Sequence, residues 1–195
     1  MEGSQVIADA RRLAVSFEPL PAPEARPAVI VVSGLPGTGK TYFCRRLAER
    51  LPFVILESDA LRKQLFPAPA YSASESAYLF RTIYFLMEEL LKKGLPVILD
   101  ATNLTERHRE RIYSIAERVN ARLVLVRVEA PPGLVQQRLK SRVKRMDAGN
   151  HSDADWTVYQ KMKATAEKIN RRHFTVDTSR DITPAIDKIV KEVNR

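Results

Sequence analysis

The residues Gly34-Leu35-Pro36-Gly37-Thr38-Gly39-Lys40-Thr41 follow a short apolar run and fit the spacing G-x-x-x-x-G-K-[ST]. That combination suits the holding of phosphate. Glycines let the backbone wrap an anion with its N–H groups turned inward. The helix that starts at Lys40-Thr41 offers its positive end to the same anion. Lys40 is expected to reach the β- and γ-phosphates of a nucleoside triphosphate, and the Thr41 hydroxyl to bind Mg²⁺. ATP and Mg²⁺ are therefore the expected ligands. The alternative is a glycine-rich turn that binds nothing.

Three further groups have types suited to phosphoryl transfer. Asp59 and Arg62 follow a second apolar run. In open α/β sheets ligands bind beyond the carboxyl ends of the strands, so Asp59 is expected near the crevice that Lys40 faces, where a carboxylate can accept the proton of an attacking hydroxyl. Arg62, one helical turn on, would hold an anionic group of the acceptor. Equally, Asp59 or Ser58 would cap a short helix over Ala60–Leu65, with Arg62 solvated. Asp100 ends a third apolar run, Pro96–Asp100, where phosphate-loop enzymes keep an acid of the Mg²⁺ shell. Thr102, Asn103 and Thr105 are also good turn and cap residues. Last, Arg138–Arg145 holds five basic residues and no acid, with Arg138 and Arg142 one turn apart. Such a helix would close over a nucleotide and neutralise transition-state charge, unless it is an ordinary solvated face. Cys44, His108, Trp156 and Tyr159 are read as packing or surface residues; His151 and His173 lack partners at zinc-site spacing.

These residues must be positioned by alternating strands and helices. Strands are predicted at Val29–Ser33, Val54–Glu57, Val97–Asp100, Leu123–Val128 and Phe174–Asp177. Their apolar centres indicate burial on both faces. Helices are predicted at Thr41–Leu51, Ser74–Lys93, Thr105–Val119, Pro132–Arg145 and Asp155–Asn170, with a last one opening at Thr183-Pro184. Ser72-x-x-Glu75 reads as a capping box. The alternation predicts a three-layer α/β domain. Residues 1–27, a short amphipathic helix and a Pro-rich linker, read as an extension before a domain at 28–195.

The 195 residues are 45% hydrophobic and 28% charged, a globular balance. The net charge of +9 favours an anionic partner such as nucleic acid. Cys44 is the only cysteine, which fits a reducing, cytoplasmic setting. No apolar run is long enough to span a membrane, and residues 1–20 do not read as a secretory signal.

Taken in order, Gly34–Thr41, Asp59-x-x-Arg62, Asp100-Ala101-Thr102-Asn103-Leu104 and Arg138-x-x-x-Arg142 resemble a P-loop kinase, more narrowly the polynucleotide 5′-hydroxyl kinases and related small AAA-type ATP-binding proteins. The resemblance implies an adenylate-kinase-like fold with a five-stranded parallel sheet and a helical lid. It implies that Asp59 activates the 5′-hydroxyl of DNA or RNA, and that Arg62 holds the neighbouring phosphate. It also implies that Arg142 and Arg138 contact ATP from the lid, while Asp100 and Asn103 organise the metal and the acceptor site. Kinases of sugars, nucleotide-sugars and antibiotics share the skeleton, as does a seryl-tRNA kinase. A switch that binds ATP without phosphorylating anything would need the loop and Asp100 but no Asp59.

Overall fold

A computed structural model describes residues 2–144 and 154–195, with side chains described over 3–141 and 154–195. The described chain runs α1 (Glu2–Val15), β1 (Ala28–Ser33), α2 (Lys40–Ala48), β2 (Val54–Glu57), α3 (Ser58–Leu65), α4 (Ala73–Lys92), β3 (Val97–Asp100), α5 (Glu106–Arg118), β4 (Arg122–Glu129), α6 (Pro132–Lys144), α7 (Trp156–Thr165), β5 (Phe174–Asp177) and α8 (Thr183–Val193). The five strands form one parallel sheet in the order β2-β3-β1-β4-β5. This is the three-layer α/β domain predicted from the strand–helix alternation, in the P-loop kinase form that the resemblance implies.

Alternation within β1 sets the layers. Val29 and Val31 join a core with Leu56, Leu99 and the apolar faces of α4 and α5. Ala28, Ile30 and Val32 face the other way, onto Phe43 and Leu47 of α2 and Ile186 and Ile189 of α8. Every residue of β1 and of β3 is buried, as strands covered on both faces should be.

Two expectations are corrected. The helix predicted over Asp155–Asn170 stops at Thr165. The carbonyls of Glu167 and Lys168 accept from the buried Arg109 Nη2 at 3.3 and 2.8 Å, and the Glu167 N–H donates to Leu104. These backbone groups bond across the molecule instead of along a helix. The capping box at Ser72 is half made: Ser72 Oγ accepts from the Glu75 N–H at 3.1 Å, but the Glu75 carboxylate turns to Arg62 and to the N–H groups of Ala70 and Tyr71.

The amphipathic helix before the Pro-rich stretch is α1, and it packs on α4. Ala10 and Leu13 are buried in the same core as β1 and β3. Tyr78 of α4 donates to Asp9 at 2.6 Å, and Arg12 reaches the Gln64 carbonyl at the end of α3. The prolines at residues 19–27 thus mark a change of course, not the edge of the core. Leu13→Ala is expected to cost about 2–5 kcal/mol in urea unfolding, the usual range for a buried leucine. A loss below about 1 kcal/mol would make α1 a detachable appendage.

Candidate active site

The glycine-rich loop is gripped from two sides. Gly39 has φ +92°, and a Cβ there would stand 3.1 Å from the Thr178 hydroxyl. Gly37 has φ +77°, and its Cβ would press within 3.0 Å of Val135 and Leu139 of α6. Both positions need a left-handed backbone and close contact, which only glycine gives cheaply. Thr178 Oγ1 donates to the Thr38 carbonyl at 2.6 Å. Lys40 Nζ donates to the Leu35 carbonyl at 3.1 Å, so the ammonium lies across the loop.

Thr41 Oγ1 donates to Asp100 Oδ2 at 2.7 Å. The register places Asp100 beside Val32 of β1 and Glu57 of β2. Asp100 is only 3% exposed. Burial pushes its carboxyl up, the Lys40 charge and the Thr41 hydrogen bond oppose this, and Asp59 adds to the rise. Glu57 is pushed up to about 7, first by burial, then by Asp100 and Asp59, against the pull of Arg45 and Lys40. Lys40, Thr41, Glu57, Asp59, Arg62 and Asp100 all line one cavity of about 570 Å³.

The donor set at Thr41 and Asp100 fits Mg²⁺. That ion takes hard oxygen ligands, commonly one or two carboxylates, and fills its shell with water and substrate phosphates. Among the described residues no group of three or more His, Cys, Asp and Glu could hold a metal, and a Mg²⁺ shared with a triphosphate does not need one.

Asp59 is not a cap. Helix α3 starts at Ser58, its N-cap residue is Glu57, and no side chain accepts there. Asp59 is half-buried in the first turn and lines the cavity. Arg62 is neither solvated nor open. It is 7% exposed, ion-paired with Glu75, within 3.2 Å of Ser76 Oγ, and stacked on Tyr71 at 4.8 Å. Its Nε is buried without a hydrogen-bond partner. Burial raises the Glu75 carboxyl, but the bonds from Arg62, Ala70 and Tyr71 outweigh it and hold Glu75 below its ordinary value.

Two other residues sit differently from expectation. Asn103 is 3% exposed and donates to the Val32 carbonyl at 2.8 Å, while its own carbonyl accepts from Ser33 and Arg109. It ties the ends of β1 and β3 together and does not line the cavity that holds Asp59, and its Oδ1 is buried without a hydrogen-bond partner. Arg138 bonds Thr178 Oγ1 at 2.8 Å and the Thr178 carbonyl at 3.0 Å, and lies 3.5 and 3.4 Å from the carbonyls of Gly37 and Thr38. It braces the loop from behind and does not line the crevice. The Arg142 side chain lies outside the described residues. Val135, Leu139 and Tyr159 form a small core beside the loop, with Trp156 stacked on Tyr159 at 4.7 Å. Cys44 is fully buried.

Four residues had no place in the site as read from the sequence. Glu57 ends β2 as Asp100 ends β3, a parallel that could have marked it. Glu75 stood there only as a cap. Thr178 and Arg109 carry no spacing that could have found them, since their partners are remote in sequence.

The comparisons agree with this geometry. A curated relative, the L-seryl-tRNA(Sec) kinase of Methanococcus maripaludis, is 25% identical over 161 residues, which are 79% of this chain and 60% of that one. The chain thus spans about three-fifths of that relative's length. Solved structures share the fold. The APS kinase of Mycobacterium tuberculosis in complex with AMPPNP and APS superposes with TM-score 0.66 at 16% identity, over 89% of this chain and all of that one. A gluconokinase from Sinorhizobium meliloti gives 0.59 at 20%, over 88% and 94%. The AAA domain profile matches residues 29–169, from the first strand through the phosphate loop and both strand-end acids to the turn after α7. On that match the chain belongs to the AAA domain family, in its AAA_33 branch.

Proposed function

We propose that the chain is an ATP-dependent phosphotransferase that moves the γ-phosphoryl group of ATP to a hydroxyl carried by nucleic acid, the 5′-hydroxyl of a polynucleotide. The observation that carries this reading is the gathering of Lys40, Thr41, Asp59 and Asp100 around one cavity, with Asp59 in no capping role. A nucleotide switch has no use for that second carboxylate.

In this reading the loop N–H groups and Lys40 take the phosphates, with Lys40 leaving the Leu35 carbonyl for the β- and γ-oxygens. Thr41 and Asp100 hold Mg²⁺, which when bound neutralises charge on the phosphate oxygens. Asp59 accepts the proton of the attacking hydroxyl. Arg62 faces the acceptor side; an acceptor anion has to share its guanidinium with Glu75 or use the unpartnered Nε. Arg142, four residues beyond Arg138 on α6, supplies lid charge.

The relative's name favours a second acceptor, a serine hydroxyl borne on tRNA. APS kinase and gluconokinase, which share only the fold, carry small acceptors in their names. Labelled ATP offered with 5′-hydroxyl oligonucleotides, seryl-tRNA, APS and gluconate separates these readings. Label is expected in the oligonucleotide. Label confined to a small acceptor overturns the nucleic-acid reading, and ATP hydrolysis indifferent to every acceptor overturns the kinase reading.

Asp59→Asn is expected to lower kcat by about 10²–10⁴ while leaving ATP affinity unchanged, read by single-turnover transfer and nucleotide titration. Lys40→Ala should lower kcat with the fold intact, because its interactions strengthen as charge shifts in transfer; activity within about tenfold of wild type contradicts that role.

Glu57 gives a pH prediction. Its folded value of about 7 lies above its ordinary 4.5. Between those limits the folded chain holds a proton that the unfolded chain has released. Stability from this group therefore falls as pH rises through the window. The Tm of Glu57→Gln relative to wild type should rise from pH 4.5 to pH 7 and then level off; a difference that stays flat in thermal melts contradicts it.

A further inference from the structure

A second cavity, of about 980 Å³, opens between α4 and α5. Ser76 and Phe80 line both this cavity and the one holding Asp59, so the two are neighbours. Its cations are Arg81, Arg107 and Arg111. Its one acid, Glu75, is already ion-paired with Arg62. Arg107 and Arg111 are exposed, one turn apart on α5, and make no salt bridge among the described residues. Burial, then Arg111 and Arg107, hold the His108 imidazole below its ordinary value, as expected beside uncompensated positive charge.

Aromatic rings are interleaved with these cations. Phe80 is half-buried, edge-on to His108 at 5.2 Å and tilted against Tyr84 at 5.9 Å. Tyr84 in turn bonds His108 Nδ1 at 3.0 Å, so Phe80 stands on a fixed platform. Phe66 and Tyr78 form an edge-on pair in the same wall.

We propose that this α4–α5 cleft binds the strand of a single-stranded nucleic acid beyond the hydroxyl that reaches Asp59, with bases on the Phe80 platform and phosphates on Arg107 and Arg111. The inference rests on the reading of the chain as a nucleic-acid kinase and names the site that reading requires. Single-strand sites combine cations that follow the backbone with aromatic faces that stack bases. An acidic peptide would use the arginines and leave the rings idle. A small acceptor would leave most of the space empty, since the cleft alone is at the top of the ~300–1,000 Å³ range of small-molecule pockets.

The test is fluorescence anisotropy with a short 5′-hydroxyl oligothymidylate labelled at its 3′ end, without ATP, at several salt concentrations. Arg107→Glu with Arg111→Glu should weaken binding by more than about tenfold at low salt. It should also make the log–log salt slope shallower by about 1.4, roughly 0.7 for each lost contact. The neutral pair Arg107→Gln with Arg111→Gln should give the same slope change with a smaller loss. Phe80→Ala should weaken binding about fivefold or more, the loss of one stacked base. All three proteins should keep wild-type ATP affinity, which separates a lost cleft from a lost fold. Unchanged affinity and slope in the arginine variants overturn the proposal, whatever the chain phosphorylates. Competition by polyglutamate equal to that by unlabelled oligothymidylate also overturns it. If the wild type fails to bind the oligonucleotide yet phosphorylates a small acceptor, the nucleic-acid reading falls and takes the cleft with it.

Discussion

The Asp100 carboxylate stands at the end of a strand buried on both faces, 3% exposed, where an unpaired charge would cost several kcal/mol. Its surroundings are arranged to offset that cost. Thr41 donates to it at 2.7 Å and the Lys40 charge opposes its rise in pKa. Both residues belong to the first turn of α2, so the helix can start only where it can serve this strand end. That in turn fixes the loop that joins β1 to α2, since Val32 and Asp100 are register partners. Asp59 adds negative charge to the same rim, and Glu57 adds more once it gives up the proton it holds up to about pH 7. The rim is therefore short of positive charge, a deficit that a divalent cation arriving with a triphosphate would supply.

The Arg62 side of the cavity follows the same burial logic with the opposite outcome. Arg62 is enclosed, and Glu75, Ser76 and Tyr71 all attend to it. Glu75 also accepts from the N–H groups of Ala70 and Tyr71, so the arginine and the turn before α4 are one unit. Helix α1 anchors that unit through Asp9 to Tyr78 and through Arg12 to Gln64. Loosening Arg62 toward an acceptor anion would thus draw on contacts that extend to the N-terminal helix. The loop side is held by glycine geometry and the Arg62 side by an ion pair, and in the proposed reading only the second would be exchanged for a ligand group.

The parts of the fold legible in the sequence were those governed by short-range pattern. Strands buried on both faces leave runs such as Val29–Val32 and Val97–Leu99, and all five were found with their ends within one residue. The phosphate loop was legible because glycine, lysine and threonine are each needed at a fixed offset. Long-range bonds leave no such trace. The reach of Arg109 to Glu167 and Lys168 joins residues 58 and 59 apart, and it decides where α7 ends. Thr178 meets Thr38 across 140 residues. Glu75 misled because its spacing from Ser72 suits a local cap, while burial of Arg62 gave its carboxylate a stronger partner. Asn103 misled for a related reason: a polar turn residue serves the backbone as readily as a ligand, and its amide nitrogen donates to the Val32 carbonyl.

The positive surplus of the chain also changes meaning once it is located. In the sequence Arg138–Arg145 holds five basic residues and no acid, and it is the segment expected to meet a polyanion. Arg138, however, gives its hydrogen bonds to Thr178 and the back of the phosphate loop. An arginine held there cannot also track a nucleic-acid backbone. Among the cations without a carboxylate partner, Arg107 and Arg111 stand beside the cavity that holds Asp59. Between them and the acid-rich rim lie Phe80 and Ser76, common to both cavities. In the proposed reading, a polyanion approaching its phosphoryl donor would meet repulsion from Asp59 and Asp100 until the metal–nucleotide was in place. In the proposed reading, separating the arginines from that rim by an aromatic step would let a strand dock by its phosphates while only its terminal hydroxyl entered the negative field.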